Sequence, residues 1–295
     1  MWEQISSNKA KSVVLVVLFF AFVIFLGWVF GETTVWGHYA TVLAIIVASV
    51  GALVSWYNSD KMVLAISRAR PASHDEFPHL YNSVEGLAIA AGIPKPKLYV
   101  IDDSAPNAFA TGRNPEHAAI AVTTGLLQKL NRVELEGVLA HEMSHIADYD
   151  TLLMTITVIL VGTVALVSDW MLRSFFFGGR RRKTSGGGQA GAILMIVAIA
   201  LAVLSPLIAQ LIRLAISRKR EFLADANGAR LTRYPEGLAS ALEKISGDRE
   251  PLEVANKATA HLYIENPLKD VKGGMNKLFS THPPVEQRIA ALRAM

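Results

Sequence analysis

Four apolar runs, each close to the thickness of a bilayer, constrain this chain more than anything else in it. "SVVLVVLFFAFVIFLGWVF" (12–30) carries no charge and approaches the roughly 20 residues a helix needs to cross a hydrocarbon core. Lys9 and Lys11 precede it as they would in a signal peptide, but the run is too long and no small-residue cleavage site follows. "VWGHYATVLAIIVASVGALVSW" (35–56) places Trp36, Tyr39 and Trp56 at interface depths. "TLLMTITVILVGTVALVSDWML" (151–172) is interrupted only by Asp169, and "AGAILMIVAIALAVLSPLIAQLIRLAI" (190–216) carries Pro206, which kinks a helix. The competing reading is buried core helices. It weighs more for the last two runs, which interrupt an otherwise soluble-looking domain.

Charge and cysteine content narrow the class. The net charge of +4 and the pI near 9.2 would suit nucleic acid, but the basic residues cluster beside the apolar runs. That placement marks membrane-flanking charge, and no nucleic-acid partner is expected. The chain has no cysteine, which removes disulfides and thiolate metal sites and fits a reducing compartment.

Between the apolar runs the pattern is that of a mixed domain. "HDEFPHLYNSVEGLAIAAG" (74–92) has helical periodicity and stops at Gly92. "PKLYVID", "NAFATG" and "HAAIAV" are short β-like runs parted by Pro, Asn and Gly, which predicts a small antiparallel sheet. "NRVELEGVLAHEMSHIAD" opens on Asn131 with Glu134 three residues later, a capping box. "RKREFLADANGARL" reads as a further helix, and "PEGLASALEKI" and "PPVEQRIAALRAM" each start with a first-turn proline. "GGRRRKTSGGG" (178–188) reads as a flexible loop. The fold class is therefore mostly α with a small β-sheet, plus four predicted transmembrane helices. The expected organisation is an N-terminal transmembrane hairpin (1–57), a first half-domain (58–150), an inserted hydrophobic hairpin (151–216) and a second half-domain (217–295).

The chemistry lies in "LAHEMSHIADYD" (139–150). His141 and His145 are four apart, so on a helix they share a face and can hold one metal ion. Neutral imidazole suits zinc, at roughly 2.0 to 2.1 Å. Glu142 stands beside the first of them, placed to reach a water at the metal without binding the metal itself. A catalytic zinc takes a third protein ligand and keeps one position open. No histidine follows His145 in an "HxxGxxH" pattern, so the best candidate is Glu221 of "REFLAD". Asp225, one turn later, can orient a ligand histidine through its ring N–H. Excising residues 151–216 brings the two motifs close together in the chain.

At these residues the sequence resembles HtpX-type membrane metalloproteases, gluzincins related to type I CaaX prenyl endopeptidases. The likeness runs through "HEMSH", Asp150, "EFLAD", "NAFATG" and "STHPPVEQRI", and the four apolar segments fall where that family has them. It implies one zinc ion per chain on His141, His145 and Glu221, and an α+β gluzincin-like catalytic domain with Glu142 as acid/base. It further implies supporting roles for Asp225, Asp150 and Arg288, with Arg288 and His282 in the active site. The run Asn107, Ala108, Phe109, Ala110, Thr111 and Gly112 becomes a substrate-facing edge strand. Polypeptide substrates, misfolded or regulatory membrane proteins, follow from the same likeness.

The residues themselves support a matching mechanism. Glu142 takes a water's proton and later delivers it to the leaving amine, and His282 is the candidate donor to the tetrahedral oxyanion. Arg288 can orient a carboxylate or a substrate carbonyl through its fork of donors. An edge strand at 107–112 would pair with an extended substrate through main-chain groups. Two alternatives stay open: CaaX-type processing of prenylated proteins, and a non-cleaving membrane scaffold stabilised by zinc. Glu142 speaks against the scaffold, since a closed structural site has no use for a base.

The ligands must meet, so the chain between His145 and Glu221 crosses a membrane an even number of times. With four spans the N-terminus and both half-domains share a side. Basic residues beside the membrane there are Lys9, Lys11, Lys61, Arg68, Arg70, Arg213, Arg218, Lys219 and Arg220. Opposite stand Arg173, Arg180, Arg181, Arg182 and Lys183, nine against five. The balance favours a multi-pass protein of the cell membrane with its catalytic side in the cytoplasm. The "RRRK" loop runs against this, unless the second hairpin dips only partway.

Overall fold

The computed structural model describes residues 2–33, 38–160, 218–255, 259–267 and 283–295. The apolar segment 190–216, the "RRRK" loop, most of segment 151–172 and His282 lie outside them. The chain forms two compact units. One comprises Met1–Lys11, Asn58–Thr155 and Arg213–Met295, the other Ser12–Tyr57 and Ile156–Ile212.

The first unit is mostly helical with a small mixed sheet. Helix α1 (Trp2–Thr33) contributes its first residues to it, and α3 (Ser59–Ile66) follows α2 (His38–Tyr57). Strand β1 (Arg70–Pro71), helix α4 (Pro78–Ala91) and strands β2 (Lys97–Ile101), β3 (Ala108–Gly112) and β4 (Ala118–Thr123) come next. Gly92 stops α4 in the left-handed region at φ 67°, a conformation glycine adopts without steric cost. The strands lie in the order β1-β2-β4-β3. β3 and β4 are antiparallel, Ala110 opposite Ile120, whereas β2 and β4 are parallel, Tyr99 opposite Ala121. The expected all-antiparallel sheet is thus corrected to a mixed one. Alternation reveals strands but not their directions, and β4 takes as one neighbour a strand that does not adjoin it in sequence.

Helix α5 (Thr124–Lys129) leads to α6 (Arg132–Ala147), the helix at the centre of the unit. Its capping box forms in full: the Glu134 N–H donates to Asn131 Oδ1 at 3.0 Å, and the Asn131 N–H to Glu134 Oε2 at 2.9 Å. That fixes the start of the helix and hence the face on which His141 and His145 emerge. Val138, Leu139, Met143 and Ile146 are buried against Leu80 and Val84 of α4 and Leu238, Leu242 and Ile245 of α9 (Pro235–Gly247). Helix α7 (Asp150–Leu160) follows α6 directly. Beyond the undescribed stretch come α8 (Arg218–Thr232), α9 and α10 (Val285–Arg293). α8 approaches α6 closely at Gly228, where an added Cβ would stand 3.1 Å from the His141 backbone nitrogen.

In the second unit, the rest of α1 and α2 carry Val13, Val17, Leu18, Phe25, Leu43, Ile46, Val50 and Leu53 exposed. Contiguous apolar exposure of this kind marks a surface meant for something other than water. Among the described residues one stretch, Ile5–Phe25, is long and apolar enough to cross a membrane.

Candidate metal centre

The α6 register puts both imidazoles on one buried face, with Nε2 atoms 3.1 Å apart. Because α8 packs close at Gly228, Glu221 reaches the same point from its first turn. Its carboxylate oxygens lie 3.7 Å from His141 Nε2 and 3.7 Å from His145 Nε2. One donor atom from each of the three residues falls within 4.8 Å of the others, and all three side chains are buried.

Each imidazole is aimed by a carboxylate on its other nitrogen. His141 Nδ1 lies 2.9 Å from Asp225 Oδ1, and His145 Nδ1 lies 2.9 Å from Asp150 Oδ2. An Nδ1–H donated to a carboxylate leaves the Nε2 lone pair facing the shared point, the tautomer a metal ligand needs. Two such nitrogens and one carboxylate oxygen form a donor set that fits a divalent metal.

Behind each carboxylate stands an arginine. Arg288 grips Asp225 through Nε at 2.8 Å and Nη2 at 2.7 Å, and its Nη1 donates to the Ile264 carbonyl at 3.1 Å. Its fork thus holds Asp225 and the backbone, and Nη1 also lies 3.7 Å from Glu221 Oε2. Arg220 donates to Asp150 Oδ1 at 3.1 Å, and Asn8 Nδ2 donates to the same oxygen at 2.7 Å. By sequence Arg220 counts among the membrane-flanking bases. Instead it is buried, and it leaves that tally at eight against five.

A local strain sets up the second pair. Tyr149 has φ 60°, the left-handed region that costs a side-chain-bearing residue about 1–2 kcal/mol. This bend ends α6 and turns Asp150 back towards His145.

The electrostatics follow from burial. Burial pushes the Glu142 carboxyl above its ordinary range, an effect opposed by His141 and His145 and by an Ala110 N–H bonded to it. For His145 burial pulls the other way. The hydrogen bond to Asp150 and the charges of Glu221, Asp150 and Glu142 outweigh it and lift the metal-free imidazole to about 9. Burial would raise Asp225, but the charge and hydrogen bonds of Arg288 and the bond to His141 hold it well below the usual carboxylate range.

β3 is the edge strand of the sheet, and all five of its residues are buried. Its outer edge is partly engaged. The Ile264 N–H donates to the Ala108 carbonyl at 3.0 Å, and the Gly112 N–H donates to Thr155 Oγ1 at 3.3 Å. Thr111 Oγ1 also meets Thr155 Oγ1, at 3.0 Å. Asn107 precedes the strand and holds the Glu265 carbonyl at 3.1 Å, while Phe109 packs edge-on against Tyr263 with centroids 5.1 Å apart. Ala110, mid-strand, bonds Glu142 through its N–H.

Sequence reasoning misses Asn8 and misreads Arg220. A lone asparagine one turn before an apolar run carries no pattern. Arg220 had a signal in its position next to Glu221, but three bases in a row read more simply as membrane-flanking charge.

Comparison with known proteins agrees with the geometry. Residues 74–295, more than half of the chain, match the family described as peptidase family M48. The chain is 46% identical over 294 residues to a protease HtpX homolog of Dictyoglomus thermophilum, covering 100% of this chain and 94% of that one. It is 43% identical over 305 residues to a protease HtpX homolog of Listeria monocytogenes serotype 4b, covering 100% of both. The crystal structure of S. mikatae Ste24p superposes with a TM-score of 0.51 at 21% identity, over 99% of this chain and 67% of that one. At that identity the likeness is one of fold. The matched span holds "HEMSH" and "EFLAD", whose side chains converge on one point, and the protease relatives align along the whole length; the chain belongs to peptidase family M48 and is a metalloendopeptidase.

Proposed function

We propose that the chain is a membrane-embedded zinc endopeptidase that hydrolyses misfolded or regulatory membrane proteins. The observation that carries this reading is the buried Glu142 carboxylate standing beside the converging donors of His141, His145 and Glu221. His141, His145 and Glu221 would hold the zinc ion, which would supply Lewis acidity that brings a water's pKa towards neutrality. Glu142, its carboxyl already raised by burial, takes the water's proton and passes it to the leaving amine. A base raised towards the working pH transfers protons both ways more readily. Asp225 and Asp150 keep the two imidazoles oriented, with Arg288 and Arg220 fixing the carboxylates. His282 is the proposed oxyanion donor. Ala110 is where an extended substrate meets the edge strand, since its backbone faces Glu142 while Ala108 and Gly112 have bonds to other parts of the unit.

Four spans with residues 151–216 as an inserted hairpin, and a cytoplasmic catalytic side, complete the proposal. The exposed apolar faces of α1 and α2 support a lipid environment. Eight flanking bases against five support the orientation. Because the chain has no cysteine, single cysteines at Thr34, Ser185 and Ser246 report sidedness: an impermeant thiol reagent outside intact cells should label 34 and 185 and spare 246. Labelling at 246 reverses the orientation.

Zinc content and casein cleavage of the purified protein beside its Glu142→Gln variant test the chemistry. The variant should keep its zinc and lose cleavage by about 10²–10⁴-fold, since an amide cannot accept the proton. Cleavage near the parent rate would move the base elsewhere.

A further inference from the structure

We propose that Asn8 is a positioning residue of the metal centre, so that the N-terminal segment forms part of the active site as well as leading into an apolar helix. This rests on the reading of His145 as a metal ligand. Asn8 lies on the early turns of α1, within the catalytic unit, and is 1% exposed although its neighbours Ser7 and Lys9 are exposed. A polar side chain buried alone among exposed neighbours is held there by what it bonds.

What it bonds is the turn that presents Asp150. Asn8 Nδ2 donates at 2.7 Å to Asp150 Oδ1 and at 3.0 Å to the Asp148 carbonyl. Arg220 Nη1 approaches the same Asp150 Oδ1 at 3.1 Å and Asn8 Oδ1 at 3.5 Å. Two donors on Oδ1 fix the plane of the carboxylate and leave Oδ2 for His145 Nδ1, 2.9 Å away. Asn8 also spans the left-handed residue Tyr149, bonding the residues on both sides of it. Lys9 Nζ lies 4.4 Å over the Tyr149 ring. The N-terminal segment thus braces the bend from outside, while Arg220 holds the same carboxylate from α8.

The residue type suits the task. An amide adds a donor without adding charge, so Asp150 remains the anionic partner of the imidazole. Among the described residues Arg220 supplies a compensating charge. Removing Asn8 leaves Asp150 Oδ1 with Arg220 alone and releases the Asp148 carbonyl. The carboxylate can then turn, and the imidazole loses its fixed direction. Outer groups that orient ligands in this way typically govern metal affinity by 10–100-fold.

The test uses the full chain in nanodiscs, stripped of metal. Zinc affinity is measured by competition with a chelator, and site geometry by the visible absorption of bound cobalt(II). The proteins compared are the parent, His145→Ala, Ser7→Ala, Asn8→Ala, Asn8→Ser and Asn8→Asp. Asn8→Ala should bind zinc about tenfold more weakly, at the low end of the range because it acts one bond further out. It should also shift the cobalt band. Asn8→Asp should lose more, since it sets a second carboxylate against Asp150, and Ser7→Ala should match the parent. Asn8→Ser, which keeps a small polar group but falls short of Asp150, should behave as the alanine variant and stands in for it if that variant does not fold. Parent-like zinc affinity and an unshifted cobalt band in Asn8→Ala or Asn8→Ser would overturn the proposal, and a lower metal-free melting temperature alone would mark Asn8 as merely structural. If His145→Ala binds zinc as tightly as the parent, the metal reading itself fails, independently of Asn8.

Discussion

Two arginines five residues apart on α10 make nearly the same contacts and do different things. Arg288 grips Asp225 with two nitrogens at 2.7 and 2.8 Å, and its side chain is 1% exposed. Arg293 reaches Glu236 at 3.0 Å and Glu243 at 2.9 Å, with its side chain 43% exposed. Both are charge-assisted and both use the guanidinium fork. In water the fork can let go at little cost, and such pairs contribute almost nothing measurable. In the interior water does not compete for either partner, so the pair holds one geometry although its net worth after desolvation is small. The buried pair therefore fixes the direction of Asp225, and through it His141. The lesson is that an ion pair in this protein is a positioning device where it is dry and surface decoration where it is wet.

The largest effect is expected at Arg288. Arg288→Ala strands a buried carboxylate and should cost about 3–5 kcal/mol in a denaturant titration, as removal of one partner of a buried pair does. Arg288→Lys separates charge from geometry. It keeps the cation but loses the fork, so zinc affinity should fall by about 10–100-fold even where the protein stays folded. Parent-like zinc binding in the lysine variant would show that charge alone suffices.

Glu142 is the contrasting case, a buried carboxylate held by an amide N–H and by no guanidinium fork among the described residues. A carboxyl whose pKa is raised by folding costs stability when it is ionised. Metal-free Glu142→Gln should therefore melt higher than the parent at pH 8. The gap should close as pH falls towards 4.5, the group's ordinary value, because both states are protonated below it. A lower melting temperature at pH 8 would mean that the carboxylate is better solvated than its burial implies.

A smaller effect is expected at Gly228. A Cβ there presses on the His141 backbone at 3.1 Å, so Gly228→Ala should push α8 and Glu221 outwards and weaken zinc binding about tenfold or less. The smallest belongs to the wet pair. Arg293→Ala should leave zinc affinity, cleavage and melting temperature at parent values in physiological salt, where exposed charges are screened.

Much of the centre is legible in the chain because it is local. The histidine pair, Glu142, the Asn131–Glu134 capping box and the Glu221–Asp225 spacing are all set by helical geometry within a few residues. Hydrophobic run length likewise announces α1 and α2. What no short pattern encodes is which distant groups complete the site. Asn8 meets Asp150 across 142 positions, Arg220 meets the same carboxylate across 70, and Arg288 meets Asp225 across 63. The same holds for the sheet, where strands were visible but the parallel pairing of β2 with β4 was not.

From the sequence alone come the candidate ligand pair His141 and His145 and the candidate base Glu142, since residues three or four apart on a helix share a face in any fold that keeps the helix. Only the tertiary structure decided that Arg220 is a buried partner and not a membrane-flanking charge. The same is true of Arg288, whose Nε and Nη2 hold Asp225, and of Asn8, which reaches Asp150 behind His145. The reason is physical. A polar side chain's role depends on whether its surroundings exclude water, and burial is a property of the packed chain that its own neighbours in sequence do not carry.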